Sequence, residues 1–318
     1  MRKTIDNEDH IINELTNFIL TEYGIEVREV TPAERGFYGE TWCVHTENGQ
    51  YFLKIDYLKN RKNDYRNSLD VIEYMTDSGI SFIPKIIKTK RETTYGEFNG
   101  GMAAVFEYVR GQHLEQCSIE QLFGRLSKIY KLKTDEISLK AENFGADTID
   151  TFHILKNSDG LPREFLQFID KKAFIISGYE ERLRYFSAKC REDKYVFHIT
   201  HGDAGGNCIL NDGDIYIVDW DSVMLAPIER DAWVYMNDKR QLDIIYSVLA
   251  ENHVDYIPCQ NLLCYYCYYF FFYYLDEYLK MILCTENSEH KKETARNMSE
   301  YLEDSWIYRR LDIADKIK

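Results

Sequence analysis

The chain has 318 residues, 45% of them hydrophobic and 29% charged, with a formal net charge of −14 at pH 7 and an isoelectric point near 5.1. That length supports two domains or one large one with a well-buried core, and the composition is that of a globular protein. The acidic balance, with no basic cluster, argues against nucleic acid and anionic membranes as partners and favours cationic ligands.

The N-terminal MRKTIDNEDHIINELTNFIL has no apolar core before a cleavage site, so it does not read as a signal peptide. It predicts an amphipathic helix with Ile11, Ile12, Leu15, Phe18 and Ile19 on one stripe. Short β-rich runs follow at 25–31, 41–46 and 50–55, the last two joined by the turn Glu47-Asn48-Gly49. A helix is expected over about 62–78, with Leu69, Ile72 and Met75 periodic and Gly79 as its stop. FIPKIIKTKRETTYGEFNGGMAAVFEYV adds two strands around a Gly-containing turn, which gives five antiparallel-type strands and one inserted helix in about 108 residues. From Gly111 helical periodicity takes over, at 118–131, 163–190, 229–250, 260–283 and 290–316. The exception is 195–219, short strands flanking a loop, while 132–175 is the least periodic stretch and a candidate insertion. The organisation is therefore a sheet-rich N-terminal lobe, residues 1–108, a connector near 106–111, and a larger helical lobe, residues 109–318.

The most apolar segment, LLCYYCYYFFFYYL at 262–275, falls short of the roughly 20 residues needed to span a bilayer and is closed by Asp276 and Glu277. It reads as a buried aromatic helix, and a cytoplasmic location is expected. Cys259, Cys264, Cys267 and Cys284 share a spacing with some iron–sulfur proteins. The gaps between them are Gln-Asn-Leu-Leu and Tyr-Tyr within a helical pattern, not small flexible residues, so buried free thiols are the reading.

The chemistry concentrates in HITHGDAGGNCILNDGDIYIVDWDSV, residues 198–223. His201-Gly202-Asp203 follows an apolar-rich strand, Asn207 precedes another, and Asp219 ends a third. A carboxylate and a carboxamide at one loop, with a carboxylate at the next strand end, are hard oxygen donors of the kind Mg²⁺ takes alongside water and phosphate. A further carboxylate left unligated can accept a proton from an attacking hydroxyl, and phosphoryl transfer asks for this set. Each residue alone is a common turn former; their joint spacing beside apolar strands is what points to a site.

The motif H-G-D-x-x-x-N followed by I-V-D-W-D resembles the catalytic core of the aminoglycoside phosphotransferases and the wider choline-kinase-like group, small-molecule relatives of protein kinases. DWDSVMLAPIERDAWVY is similar to the D-W-D…L-A-P…E-R-D run of the spectinomycin phosphotransferase branch. The resemblance covers nearly the whole chain. It implies an α+β, protein-kinase-like two-lobed fold, with a small five-stranded antiparallel sheet lobe and a larger helical lobe. It further implies Asp203 as the catalytic base, Asn207 and Asp219 as Mg²⁺ ligands, and His201 as organiser of the loop. Asp231 is similar to the family residue that holds the catalytic loop from a following helix, and fits equally well as a helix N-cap.

In the same layout Lys54 of YFLKID would neutralise the α- and β-phosphates. Gly36 and Gly39 of ERGFYGE form a partial match to a glycine-rich phosphate cover, with Phe37 or Tyr38 packing over the nucleotide as the alternative. Kinases pair the strand lysine with an acid on the next helix. The count from the Pro84 strand favours Asp70, and Glu73, about one turn away on the same face, stays open. Phe106, Glu107 and Tyr108 would meet the adenine edge through their backbone, which does not separate ATP from GTP. One departure stands out: the kinase loop reads D-x-x-x-x-N, but only Ala204-Gly205-Gly206 separate Asp203 from Asn207. The two glycines are expected to absorb the missing residue through backbone angles closed to others.

The leading function is a Mg²⁺- and ATP- or GTP-dependent phosphotransferase acting on a hydroxyl of a small cationic acceptor, an aminoglycoside or aminocyclitol. A metabolic kinase for a choline-, homoserine- or aminosugar-like alcohol would share every catalytic residue. A nucleotide-binding pseudokinase is disfavoured by the presence of Lys54, Asp203 and Asp219. The expected partner is the small molecule, with no nucleic acid and no membrane, and the protein is a monomer or homodimer. Tyrosines of the aromatic helix could line an acceptor pocket or belong to the core; Glu303 and Asp304 could hold an ammonium group or lie on a solvated face.

Overall fold

The computed structural model describes residues 5–33, 39–58, 61–114, 117–135, 137–236, 238–284, 288–303, 307–314 and 316. The chain falls into two compact units, residues 1–141 with 198–225 and residues 142–197 with 226–318.

In the first unit, α1 (Ile5–Phe18) runs into a π-helical turn, Ile19–Tyr23. The predicted stripe is the packed one: Leu15, Phe18 and Ile19 are buried, and Ile11 and Ile12 partly so, against the sheet. Among the described residues that sheet has six strands, one more than the sequence suggests. They are β1 (Glu29–Pro32), β2 (Gly39–His45), β3 (Gln50–Asp56), β4 (Ile86–Ile87), β5 (Gly96–Phe98) and β6 (Gly101–Glu107). The order is β1-β2-β3-β6-β4, with β5 pairing the start of β6, and every pairing is antiparallel. The predicted turn joins β2 to β3, and Thr46 N–H donates to Gly49 O at 2.9 Å.

Side chains alternate between the faces of a strand. Leu53 and Ile55 enter the core with Trp42, Val44, Ala103 and Val105. Lys54 therefore projects from the opposite face, between its register neighbours Thr41 and Ala104. At the start of β2 a Cβ on Gly39 would lie 2.1 Å from Ile55 O, so only glycine lets β2 and β3 close there.

After β3, α2 (Lys62–Asp77) buries Tyr65, Ser68, Leu69, Val71, Ile72 and Met75. It ends at the predicted stop: Gly79 has φ +90°, and Ile80 N–H reaches back to Met75 O at 3.0 Å. The unit continues with β7 (Gln112–Leu114) and α3 (Ile119–Tyr130), capped by Ser118. It closes with β8 (His198–Thr200), β9 (Cys208–Asn211), β10 (Asp214–Ile217) and β11 (Met224–Ala226). β10, β9 and β7 form a three-stranded sheet, and β8 pairs with β11.

The second unit is helical: α4 (Asp147–Lys156), α5 (Arg163–Lys171), α6 (Ala173–Glu192), α7 (Glu229–Ala232), α8 (Lys239–Glu251), α9 (Gln260–Cys284), α10 (Ser288–Glu303) and α11 (Tyr308–Ala314). Three helices expected as single pieces are divided. The 163–190 helix breaks at Lys172, whose N–H is shared between Phe168 O and Ile169 O. The 229–250 helix becomes α7, a 3₁₀ turn Trp233–Tyr235, and α8, capped by Asp238. The 290–316 helix becomes α10 and α11. Residues 132–175 are no loose insertion: they contain α4, and Phe152 of α4 packs edge-on against Phe272.

The aromatic segment lies in α9, where Tyr265, Tyr266, Phe271 and Phe272 are fully buried. Its rings meet Tyr179 of α6, Trp233 and Tyr301 of α10. Most of this helix is core, with Tyr269, Tyr273 and Tyr274 only half-buried. Among the described residues no helix is long and apolar enough to cross a membrane. Cys264 and Cys267 are buried within α9, and all eight cysteines are free.

Candidate active site

β8 delivers the chain to His201, which is 1% exposed. Its Nε2 lies 2.8 Å from Val218 O, and its Nδ1 lies 3.2 Å from Asp203 N. A neutral ring with its hydrogen on Nε2 satisfies both, donating to Val218 O and accepting from Asp203 N–H. The ring also meets the Trp220 indole edge-on at 4.6 Å. His201 thus bridges the backbone at Asp203 to the backbone at Val218.

Asp203 is exposed, and Asn207 Nδ2 donates both to its backbone oxygen at 2.7 Å and to its carboxylate Oδ2 at 3.1 Å. The shortened stretch between them is accommodated differently from expectation. Ala204–Gly206 form one 3₁₀ turn, with Asn207 N–H donating to Ala204 O at 3.1 Å. The positive φ falls on Gly202, at 85°, and not on Gly205 or Gly206.

Asp219 has φ 60° and ψ 60°, the left-handed region that costs a non-glycine residue roughly 1–2 kcal/mol. The next three residues hold the strain: Trp220–Ser222 form a 3₁₀ turn, and the indole of Trp220, 2% exposed, donates to Ile217 O at 2.9 Å. Backbone strain imposed by its surroundings gathers at functional sites.

Lys54 meets this turn from β3. Its Nζ is 2.6 Å from Asp219 Oδ1 and 2.7 Å from Asp221 Oδ2. The expected helix acid is elsewhere: Asp70 accepts a hydrogen bond from Thr94 at 3.3 Å, and Glu73 pairs with Lys88. The pairing of Lys54 with Asp70 or Glu73 is thus replaced by one with two acids of a single turn. Burial opposes charge on Lys54, yet Asp221 and Asp219 outweigh it and hold the ammonium above the ordinary lysine value. In Asp219 burial is likewise outweighed by Lys54, so its carboxyl lies below the usual range. Burial wins at Asp221, which lies above it. At the start of α2, Arg61 pairs with Asp56 at 3.2 Å and adds a second cation near both acids.

The connector residues fall at the end of β6. Phe106 is paired on both sides, to Phe52 of β3 and Ile86 of β4, and Glu107 N–H donates to Lys85 O at 2.8 Å. Tyr108, about one-third exposed, is the first residue beyond the strand. Gly36, Phe37, Tyr38 and Asp304 lie outside the described residues, and Glu303 is exposed at the end of α10. Asp231 is buried inside α7, whose N-cap position is Ile228, so the capping reading does not hold. Asp221 is the residue sequence reasoning missed. The signal was the second acid of D-W-D, held beside a tryptophan that anchors the turn.

The donor set can be tested for Mg²⁺. Asn207 Nδ2 is committed to Asp203, which directs Oδ1 away as a neutral oxygen donor; Asp219 keeps Oδ2 beyond its bond to Lys54. Among the described residues no cluster of three or more His, Cys, Asp or Glu forms an all-protein cage. Mg²⁺ is held by one or two carboxylates together with phosphates, and these residues fit that manner of binding.

A strand lysine brought onto the acid that follows a β-hairpin, with an Asp–Asn pair on the preceding loop, is a set of groups that phosphoryl transfer can use. The sequence matches the model of the phosphotransferase enzyme family over residues 29–256, and the chain belongs to that family, small-molecule kinases with an alcohol group as acceptor. Solved structures share its α+β, protein-kinase-like fold. Spectinomycin phosphotransferase in complex with ADP and spectinomycin superposes with a TM-score of 0.77 at 19% identity, covering 94% of this chain and 97% of that one. Amicoumacin kinase gives 0.60 at 14% identity, over 96% and 97%, and choline kinase from Streptococcus pneumoniae 0.59 at 14%, over 93% and 99%. No curated protein sequence matches the chain significantly.

Proposed function

We propose that the protein transfers the γ-phosphoryl group of ATP or GTP, with Mg²⁺, to a hydroxyl of a small cationic acceptor, an aminoglycoside or aminocyclitol. The observation that carries this reading is the convergence of Lys54 on Asp219 at 2.6 Å across 165 positions of sequence, beside a loop that presents Asp203. Lys54 holds the α- and β-phosphates, and the backbone at Tyr108 meets the base. Asn207 and Asp219 would hold Mg²⁺, which when bound would supply charge neutralisation to the transferring phosphoryl group. Asp203, the exposed carboxylate, accepts the proton of the attacking hydroxyl as transfer proceeds. His201 fixes the loop through its bonds to Asp203 N–H and Val218 O. The net charge of −14 suits a polycationic acceptor, and spectinomycin phosphotransferase, a kinase of such an antibiotic, shares the fold.

A coupled turnover assay with Mg·ATP and Mg·GTP tests this, using spectinomycin, an aminoglycoside panel, choline and simple aminosugars as acceptors. Stimulation by an antibiotic, lost in Asp203→Asn while nucleotide binding persists, is the expected result. Stimulation by choline or an aminosugar alone would make it a metabolic kinase. Near wild-type turnover in Asp203→Asn would remove Asp203 as the base.

A further inference from the structure

We propose that Asp221, and no acid of α2, is the residue that positions Lys54 for the nucleotide phosphates. This rests on the reading of the site as a nucleotide site and adds a residue to it.

The side chain of Lys54 is only 11% exposed, and a cation so enclosed needs a close, directional partner. Two carboxylates bracket it, and they are not equivalent. Asp219 is 47% exposed, with one oxygen turned away from Lys54, so it can serve a ligand arriving from solvent. Asp221 is 13% exposed and enclosed with the lysine. When Asp219 is engaged by a ligand, Lys54 keeps Asp221. An ammonium carries three donors, so two can serve the acids and the third is left for a phosphate oxygen.

The helix cannot supply the acid. α2 packs against the Trp220–Ser222 turn with Tyr65, Leu69 and Ile72 among its buried residues. Asp70 follows Leu69 and Glu73 follows Ile72, and each step turns about 100° around a helix. Bringing either acid to the inner face would turn out Leu69 and Ile72, which are 0% and 4% exposed. Asp221 needs no such movement: the anchored indole of Trp220 fixes the turn, and the lysine's partner lies two residues from the metal-ligand candidate. The lysine's partner and the metal-ligand candidate thus sit on one turn.

The experiment measures binding of a fluorescent ATP analogue without acceptor, in EDTA and in Mg²⁺, together with kcat and KM. Asp221→Asn should raise the nucleotide Kd about tenfold or more in both conditions, while Asp70→Asn and Glu73→Gln stay within about twofold. In a Lys54→Met background Asp221→Asn should add nothing further, because it acts through the lysine; this double variant, which removes both charges, also serves if the single one does not fold. Loss in Asp70→Asn or Glu73→Gln equal to that in Asp221→Asn would overturn the proposal. So would an effect confined to the Mg²⁺ requirement, which would make Asp221 a metal ligand, or full additivity with Lys54→Met. Absence of nucleotide binding by the unaltered protein would instead sink the nucleotide-site reading, and the proposal with it.

Discussion

Glu229 begins α7 almost fully enclosed, 3% exposed, with its carboxylate accepting the Cys259 N–H at 2.8 Å. Burial pushes this carboxyl from 4.5 to about 7, against the pull of the backbone hydrogen bonds. The sign of the consequence comes from proton linkage. Between pH 4.5 and about 7 the folded protein keeps a proton that the unfolded chain has released, so stability falls as pH rises. The stabilising contribution is whole below the unfolded value and gone above the folded one. A gap of about 2.5 at about 1.36 kcal/mol each amounts to about 3 kcal/mol. Glu229→Gln keeps the shape and the acceptor oxygen but carries no charge. Guanidinium unfolding at pH 5 and pH 8 should find the variant little changed at the lower pH and about 2–3 kcal/mol more stable than the parent at the higher. An advantage independent of pH, or a variant weaker at both, would refute the reasoning, since neither outcome can come from a carboxyl that must ionise in the interior.

Other perturbations bear on the site itself. Gly39→Ala places a methyl 2.1 Å from Ile55 O, so β2 must move off β3; we expect about 1–3 kcal/mol lost in thermal unfolding and weaker nucleotide binding through displaced Lys54. An unchanged Tm would mean that the strands part freely there. His201→Phe strips partners from Val218 O and Asp203 N–H, at about 1–3 kcal/mol each, and should lower kcat with little change in nucleotide Kd. An equal loss in both would show that His201 does more than hold the loop. Lys54→Met should weaken nucleotide binding, and an unaltered Kd would move the phosphate contact elsewhere. Glu73→Gln opens a surface pair with Lys88, and Tm should stay at the parent's value; a clear fall would make that pair structural.

Where one residue's pattern dominated, the sequence was legible. α1 shows a stripe that a 3.6-residue period makes visible, α2 ends at its glycine, and the β2–β3 turn sits on Asn-Gly. His201, Asp203, Asn207 and Asp219 stood out as candidates through their joint spacing beside apolar strands, since each alone would pass for a turn former. Less legible were features set by tertiary contact. β5 has three residues, Gly96–Phe98, and exists only because β6 offers it an edge. The breaks at Lys172 and before Asp238 carry neither Pro nor Gly in the sequence, and apolar periodicity runs across both. Asp70 was drawn from a family layout, but which side of α2 is enclosed depends on its packing, and Leu69 and Ile72 take the buried side. Asp221 looked like one more acid because nothing local distinguishes a carboxylate on a lysine from one in water.

The centre also shows how strand pairing and hydrogen bonds hold residues far apart in sequence at fixed spacing. β3 is flanked by β2 and β6, so Lys54 rises from the interior of a sheet and not from its edge. Trp220 pins the turn that carries Asp219 and Asp221. The remaining spacing, between Asp203 and Asp219, depends on one imidazole: His201 bonds Asp203 N–H on one side and Val218 O, immediately before Asp219, on the other. Phosphoryl transfer asks little covalent chemistry of a protein and much positioning. A neutral histidine suits that task because it both donates and accepts; a second donor at Nδ1 would repel the Asp203 N–H and free the loop. The histidine of H-G-D is then needed for the distance it sets between two carboxylates, and its replacement should be judged by kcat, where misplacement shows, before affinity, where it does not.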